Sequence, residues 1–461
     1  MMTTPIPGPR GSFFLGNLKE FRAGLLPFLE RCFTEFGSVA TFRLGPHRLV
    51  LLSEPSLMEE VLVHQNKLFT KHYAVRLLRP VLGNGLLLSE GKQWLSQRRL
   101  IQPAFSRRFN DDLTKTVRRH AERLAADWRE SPRRDLYHDM TKLTVQIAAE
   151  AFLGVSDIVD MEEIGEHLEV IHADFEHRFQ RAANPPMWVP TFGNRRLRFA
   201  VQGLTALIDR MIERRKADSN EYHDALSLLL RVKDEQGRGM PIQLLRDEVM
   251  TLLLAGHDTT SNSLTWTWVL LAQHPQVFKA LRAEAHALDD GTRCPGEFPY
   301  THNVIKESMR LLPPVYLFGR AAMSPVQLGD YIIQKGDSVV MSQWVLHRDP
   351  RWYPEPLTFN PGRWTPEFES QLPKFAYCPF GGGPRVCLGK EVAMIEAATV
   401  LTTLAREFDI VLENPDTIVP WPTVTLRPKS AVWAKVISRG RPATNDDATG
   451  VVREAADRPI V

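Results

Sequence analysis

The sequence predicts a mainly α-helical fold with a small β portion, built as a single large domain. Three observations predict it. Helix-type patterns dominate from Pro55 to about Leu312, interrupted by turn-forming stretches such as VLGNG and ANPPMWVPTFGN. β-type runs are short and flank that region, in SVATFRLGPHRLVLL (Ser38 to Leu52) and PVQLGDYIIQKGDSVVM (Pro325 to Met341). No internal repeat and no Gly/Ser linker divides the 461 residues.

The elements follow in chain order. A Pro/Gly-rich opening reads as an extended arm over the surface. Ser38 to Leu52 reads as a β-hairpin, because alternating and β-branched runs flank a Gly-Pro turn. A long helix is expected from about Pro241 to His274. Irregular chain is expected from His347 to Pro379, then a helix after Cys387, with strands near Ile410 and Val424. The domain is expected to span residues 1–437, and the polar segment 438–461 is expected to be a disordered tail.

Composition excludes several classes. Hydrophobic content of 43% and charged content of 24% are those of a soluble globular protein. A formal charge of +3 gives no argument for nucleic acid. Cys32, Cys294, Cys378 and Cys387 are too scattered for a disulfide framework, and no C-x-x-C pair offers a zinc site. That usage fits a reduced, cytoplasmic setting. The apolar pieces of the N-terminus are broken by Lys19, Glu20 and Arg22, far short of the ~20 residues a membrane span needs. No membrane anchor is expected.

The most informative stretch is FGGGPRVCLG, Phe380 to Gly389. A phosphate loop fails, because the spacing to Gly389-Lys390 is one residue too long and Glu391 replaces the Mg²⁺-binding hydroxyl. A catalytic thiol would need a base, which sequence leaves open at a distance. A metal-ligand thiolate explains more. Leu388, Val392, Ile395 and Thr399 recur at helical spacing, so Cys387 falls at or just before a helix N-terminus. Free N–H groups and the dipole there stabilise a sulfur anion. The glycines permit a tight turn, and Gly389 permits close approach of a flat cofactor.

Through Phe380, Gly383, Arg385, Cys387 and Gly389 the stretch matches F-x-x-G-x-R-x-C-x-G, which resembles the haem-ligand loop of the cytochrome P-450 superfamily. The resemblance implies one cytochrome P-450-like haem domain, with Cys387 as axial ligand to the iron of haem b. There the thiolate donates electron density that favours O–O cleavage. Three further stretches resemble family motifs, in the family's order. WLSQR puts Trp94 and Arg98 on one helical face, like the helix that binds a haem propionate. AGHDTT, a weak helix-forming patch inside the long helix, resembles the oxygen-activation motif. It assigns Asp258 and Thr259 to an acid–alcohol pair for proton relay, and the helix is expected to open there. KESMR and FNPGRW supply Glu307, Arg310 and Arg363, similar to the family's Glu-Arg-Arg structural network, with Trp364 where the family commonly has Phe. Arg385 and Arg320 resemble further propionate partners, and His347 is either a polar contact of the site or a turn-stabilising residue.

The resemblance implies a haem-dependent mono-oxygenase that inserts one oxygen atom from O2 into a lipophilic substrate such as a fatty acid or terpenoid. No flavin, nicotinamide or iron–sulfur motif is present, so electrons are expected from an external ferredoxin or flavodoxin with its reductase. Arg99, Arg107, Arg108, Lys374 and Lys390 could attract such an acidic partner or be ordinary solvated charges. The alternatives are an H2O2-driven peroxygenase and a non-catalytic haem-binding sensor. Expected pocket segments are residues 72–88, Leu252 to Ala255, Val315 to Phe318, and the stretch near Trp421.

Overall fold

The computed structural model describes residues 5–180, 184–218, 222–234, 236–287 and 298–439. Helix accounts for 59% and strand for 13% of the described residues, so the mainly α class with a small β portion holds. The helices that position the site are α1 (Gly91–Ile101), α2 (Leu136–Leu153), α3 (Ile158–Gln180), α4 (Ile242–Gln273), α5 (Pro299–Leu311) and α6 (Lys390–Ala405).

The expected hairpin is Val39–Leu44 paired antiparallel with His47–Leu52, turning at Gly45-Pro46. Ser338–Met341, Phe318–Ala322 and Phe69–Lys71 extend it into a five-stranded sheet. The last of these pairings sets Lys71 opposite Arg320. Phe408–Leu412 and Trp433–Ser438 pair with each other, and Pro420–Pro422 with Leu426–Pro428. The final strand includes Ser438, and Arg439 bonds Asp409. The folded domain therefore runs past the expected boundary at 437, because Ser438 still pairs with Phe408. The rest of the expected tail, 440–461, lies outside the described residues.

Helix α4 matches its expected bounds, with Pro241 and His274 as its flanking residues. It is the central helix, and almost every residue from Thr260 to Leu271 is buried. Trp266 and Trp268 are fully buried, and the Trp266 indole donates to the Leu426 carbonyl (2.9 Å). The expected opening at AGHDTT is not a break, since α4 is continuous there. Gly256 has a packing reason instead: a Cβ would stand 2.5 Å from the Phe152 ring of α2. The side chains still reach the backbone as expected. Thr259 Oγ1 donates to Ala255 O (2.7 Å), and Asn262 Nδ2 donates to Asp258 O (2.7 Å).

The irregular chain from His347 onward is held by a buried carboxylate. Glu307 and Arg310, on α5, are both fully buried. Glu307 Oε1 accepts from Arg310 Nη2 (2.9 Å), Arg363 Nε (2.9 Å) and Asn360 N (3.0 Å). Its Oε2 accepts from Arg310 Nε (2.9 Å) and the Trp364 indole (3.0 Å). Arg310 also donates to the carbonyls of His347 (2.8 Å), Pro356 (2.6 Å) and Thr358 (3.1 Å), which uses all its N–H groups. Glu307, Arg310 and Arg363 thus meet as expected. The Trp364 departure adds a donor that phenylalanine lacks.

Truncating one partner of a buried pair leaves the other charge uncompensated, at about 3–5 kcal/mol. Arg310→Ala should therefore give little folded protein, read from soluble yield and the midpoint of chemical denaturation. Wild-type values would show that the knot carries no such load.

Candidate functional site

The site is built on the turn before α6. Cys387 N–H donates back to the Phe380 carbonyl (3.0 Å) and Val386 N–H to that of Gly383 (3.1 Å). Gly381 and Gly383 have φ of 70° and 66°, where a Cβ is disfavoured. Gly383 is needed for a second reason, because a Cβ there would stand 2.0 Å from the Leu62 carbonyl oxygen. The glycine run lets the turn close and seat against the segment Glu60–His64.

Cys387 lies three residues ahead of α6, as its spacing predicts. Burial within the protein pushes its thiol up, while the Gly389 N–H on the sulfur and the Arg98 guanidinium pull it down. Its surface is nevertheless exposed, whereas Cys32 and Cys378 are buried and each is pushed up to about 12 by burial. A thiol surrounded by protein yet open at its surface lines an internal space. Ala255, in the middle of the central helix, is exposed in the same way.

Helix α1 brings Trp94 and Arg98 to this turn. Arg98 Nη1 donates to Val386 O (2.9 Å). Arg385 lies 4.3 Å from the Trp94 ring centre, donates to Ser89 O (3.1 Å) and pairs with Glu90. Lys71 and Arg320 complete the group from the sheet. Burial, then Arg385, pushes Lys71 down to about 7 and Arg320 down to about 10. Glu90 offsets part of this, and Glu248 acts on Lys71 as well. Half-buried cations with too few counter-charges favour an anion among them.

This donor set fits haem. Among the described residues no group of three or more His, Cys, Asp or Glu could hold a metal ion, so iron here would bring a ligand frame of its own to the single sulfur. Carboxylates on the rim of that frame would meet Lys71, Arg98, Arg320 and Arg385. Gly389 leaves the space beside Sγ clear, since a Cβ there would lie 3.9 Å from the sulfur.

Asp258 and Thr259 are consecutive on α4. Asp258 Oδ1 takes Asn262 Nδ2 (3.3 Å) and faces His172 Nε2 on α3 (3.5 Å). His347 turns out to be structural: it is fully buried, and its Nε2 accepts from Cys378 N–H (3.2 Å). Burial pushes it down to about 3, so it stays neutral. Lys71, Glu90 and His172 were not foreseen. Lys71 reaches the site only through long-range strand register and His172 only through helix packing. Glu90 had a local signal, as a carboxylate at the start of a helix.

The sequence model of the family described as "Cytochrome P450" matches residues 6–434. Cyclooctatin synthase of Streptomyces melanosporofaciens is 36% identical over 80% of this chain and 82% of that one. Cyclooctat-9-en-7-ol 5-monooxygenase of the same organism is 31% identical over 81% of this chain and 82% of its own. The solved structure of retinoic acid bound cyanobacterial CYP120A1 superposes with a TM-score of 0.85 at 26% identity, covering 95% of this chain and 100% of that one.

The two glycines beside Cys387 should respond differently to alanine. Gly383→Ala should cost about 1–3 kcal/mol from backbone strain alone, with the Leu62 clash added. Gly389→Ala, at an ordinary φ of −84°, should change stability by no more than about 0.5 kcal/mol. Chemical denaturation of the two variants checks this, and equal midpoints would contradict the packing account.

Proposed function

The chain belongs to the cytochrome P450 family, and on that footing we propose that Cys387 is the thiolate ligand of its haem iron and Asp258 and Thr259 its proton-delivering pair. The protein is a haem-iron mono-oxygenase that uses O2 and electrons from redox partners. The observation that carries the site assignment is Cys387 itself. Among the described residues it is the exposed free cysteine, and it stands beside a cluster of half-buried cations.

Haem b, when bound, supplies the binding and stepwise reduction of O2 and the oxidising power for insertion of one oxygen atom. The chain's own residues hold, orient and protonate. Arg98 and the Gly389 N–H favour the ionised sulfur over the thiol that burial favours. Lys71, Arg98, Arg320 and Arg385 hold the propionates, and Trp94 backs the guanidinium of Arg385. Thr259 holds a hydroxyl proton at the edge of the internal space, and Asp258 replenishes it.

The substrate is lipophilic, and the terpenoid branch of the sequence expectation has the better support. Relatives named for cyclooctatin and cyclooctat-9-en-7-ol, and a neighbour bound to retinoic acid, stand behind it. Electrons come from a separate ferredoxin or flavodoxin with its reductase. Arg99, Arg107, Arg108 and Lys390 are exposed around the Cys387 face and suit an acidic partner. Lys374 is already paired with Glu59, so it contributes less. Among the described residues no helix is long and apolar enough to cross a membrane, and a cytoplasmic location is part of the proposal.

Reduced, CO-bound protein should show the red-shifted Soret band of thiolate ligation. Cys387→Ser should abolish that band and Cys378→Ser should keep it; the reverse would move the ligand to Cys378. Thr259→Ala should keep haem content and the lipophile-induced spin-state change, yet yield several-fold less product per reduced cofactor. General-acid assistance is worth about 10²–10⁴-fold, and water replaces part of a lost hydroxyl. Wild-type coupling in Thr259→Ala and Asp258→Asn together would reject the proton-delivery role.

A further inference from the structure

We propose that His172 on α3 is the proton-entry residue for Asp258, carrying protons from solvent to its carboxylate. The inference rests on the proton-delivery reading of Asp258 above and adds the group that supplies it.

Position is the first argument. His172 Nε2 stands 3.5 Å from Asp258 Oδ1, with side chains 21% and 14% exposed. Of the pair, the imidazole on α3 is the more exposed. The separation is slightly longer than a good hydrogen bond, a gap that a small rotation or one water closes.

The surrounding groups leave Asp258 to His172. From α4, the His257 ring packs against His172 at 5.0 Å and 67°. Its Nδ1–H donates to Leu253 O (2.8 Å), and burial pushes it down to about 4. It is therefore neutral near pH 7 and offers Asp258 no positive charge. Glu176, one turn along α3, accepts from the Trp421 indole (3.0 Å) and pairs with Arg427 of the neighbouring strand pair. Tyr137 of α2 also bonds Arg427, and its hydroxyl is pushed up to about 12 by burial and then by the charge of Asp258. Arg427 is thus engaged by Glu176 and Tyr137. His172 is the ionisable side chain that approaches the Asp258 carboxylate directly.

The step balances without a co-reactant. Protonated His172 gives its Nε2 proton to Asp258 Oδ1, Asp258 passes a proton on toward the Thr259 hydroxyl, and His172 takes another from water. One proton crosses and no electron moves. Since histidine is the side chain whose charge ordinarily changes between about pH 5 and 8, the supply should fall as pH rises across that range.

The test uses holoenzyme and needs no identified substrate. In CO-bound reduced protein labelled with ¹³C-histidine, the His172 signal is assigned by its loss in His172→Gln. At a fixed pH that signal should differ between wild type and Asp258→Asn; an identical signal would mean that the two groups do not interact and would overturn the inference. In a second arm, reduced holoenzyme is mixed with oxygenated buffer between about pH 5.5 and 8.5, and its return to the ferric form is timed in H2O and D2O. Wild type should slow as pH rises across that range. His172→Gln should be about tenfold slower at low pH, without that step. If Asp258→Asn is slow while His172→Gln behaves as wild type, the His172 inference alone is wrong. If Asp258→Asn itself keeps the wild-type rate and step, the Asp258 reading fails and the inference with it.

Discussion

Glu307 accepts five hydrogen bonds where water does not reach, and the course of the chain from His347 to Cys387 depends on them. A lone buried carboxylate is untenable, and a satisfied one is rigid. Arg310 and Arg363 bridge it to the carbonyls of His347, Pro354, Glu355, Pro356 and Thr358, groups that no helix or sheet ladder serves. Farther along, Tyr353 donates to Ala376 O (3.0 Å) and His347 accepts from Cys378 N–H. The glycine turn and α6 then take over. A segment with little regular structure thereby ends with one sulfur in a defined place.

Electrostatics divides the two sides of the site. The sulfur side gathers Lys71, Arg98, Arg320 and Arg385 at a cost visible in the depressed Lys71 and Arg320. A dianionic group bound among them would relieve that repulsion, so its binding energy would in part be folding energy. Arg98 belongs to both functions: it bonds the backbone beside Cys387 and steadies negative charge on the sulfur. Elsewhere, α4 offers Asp258 and Thr259 just before its buried run from Thr260 to Leu271, which anchors the polar pair.

Features encoded within a few residues were legible in the sequence. The hairpin, the bounds of α4, the turn before α6 and the pairing of Glu307 with Arg310 each follow from local spacing, capping or glycine chemistry. What needed tertiary information was missed. Lys71 meets Arg320 only through sheet register, and His172 meets Asp258 only through the packing of α3 on α4. Gly256 reads as a weak point of the helix because the Phe152 ring that requires it lies about a hundred residues away in sequence. The departure at Trp364 has a reason that only the fold displays, since its indole bonds Glu307. His347 was ambiguous because its partner is a backbone N–H that no motif encodes.

The central claim is that this architecture delivers Cys387 sulfur to haem iron. X-ray absorption at the iron edge of the purified resting enzyme tests it most directly, because it reads the atoms bound to iron without assigning them beforehand. The account predicts one sulfur neighbour beside the nitrogens of the macrocycle. A first shell of nitrogen and oxygen alone would contradict it.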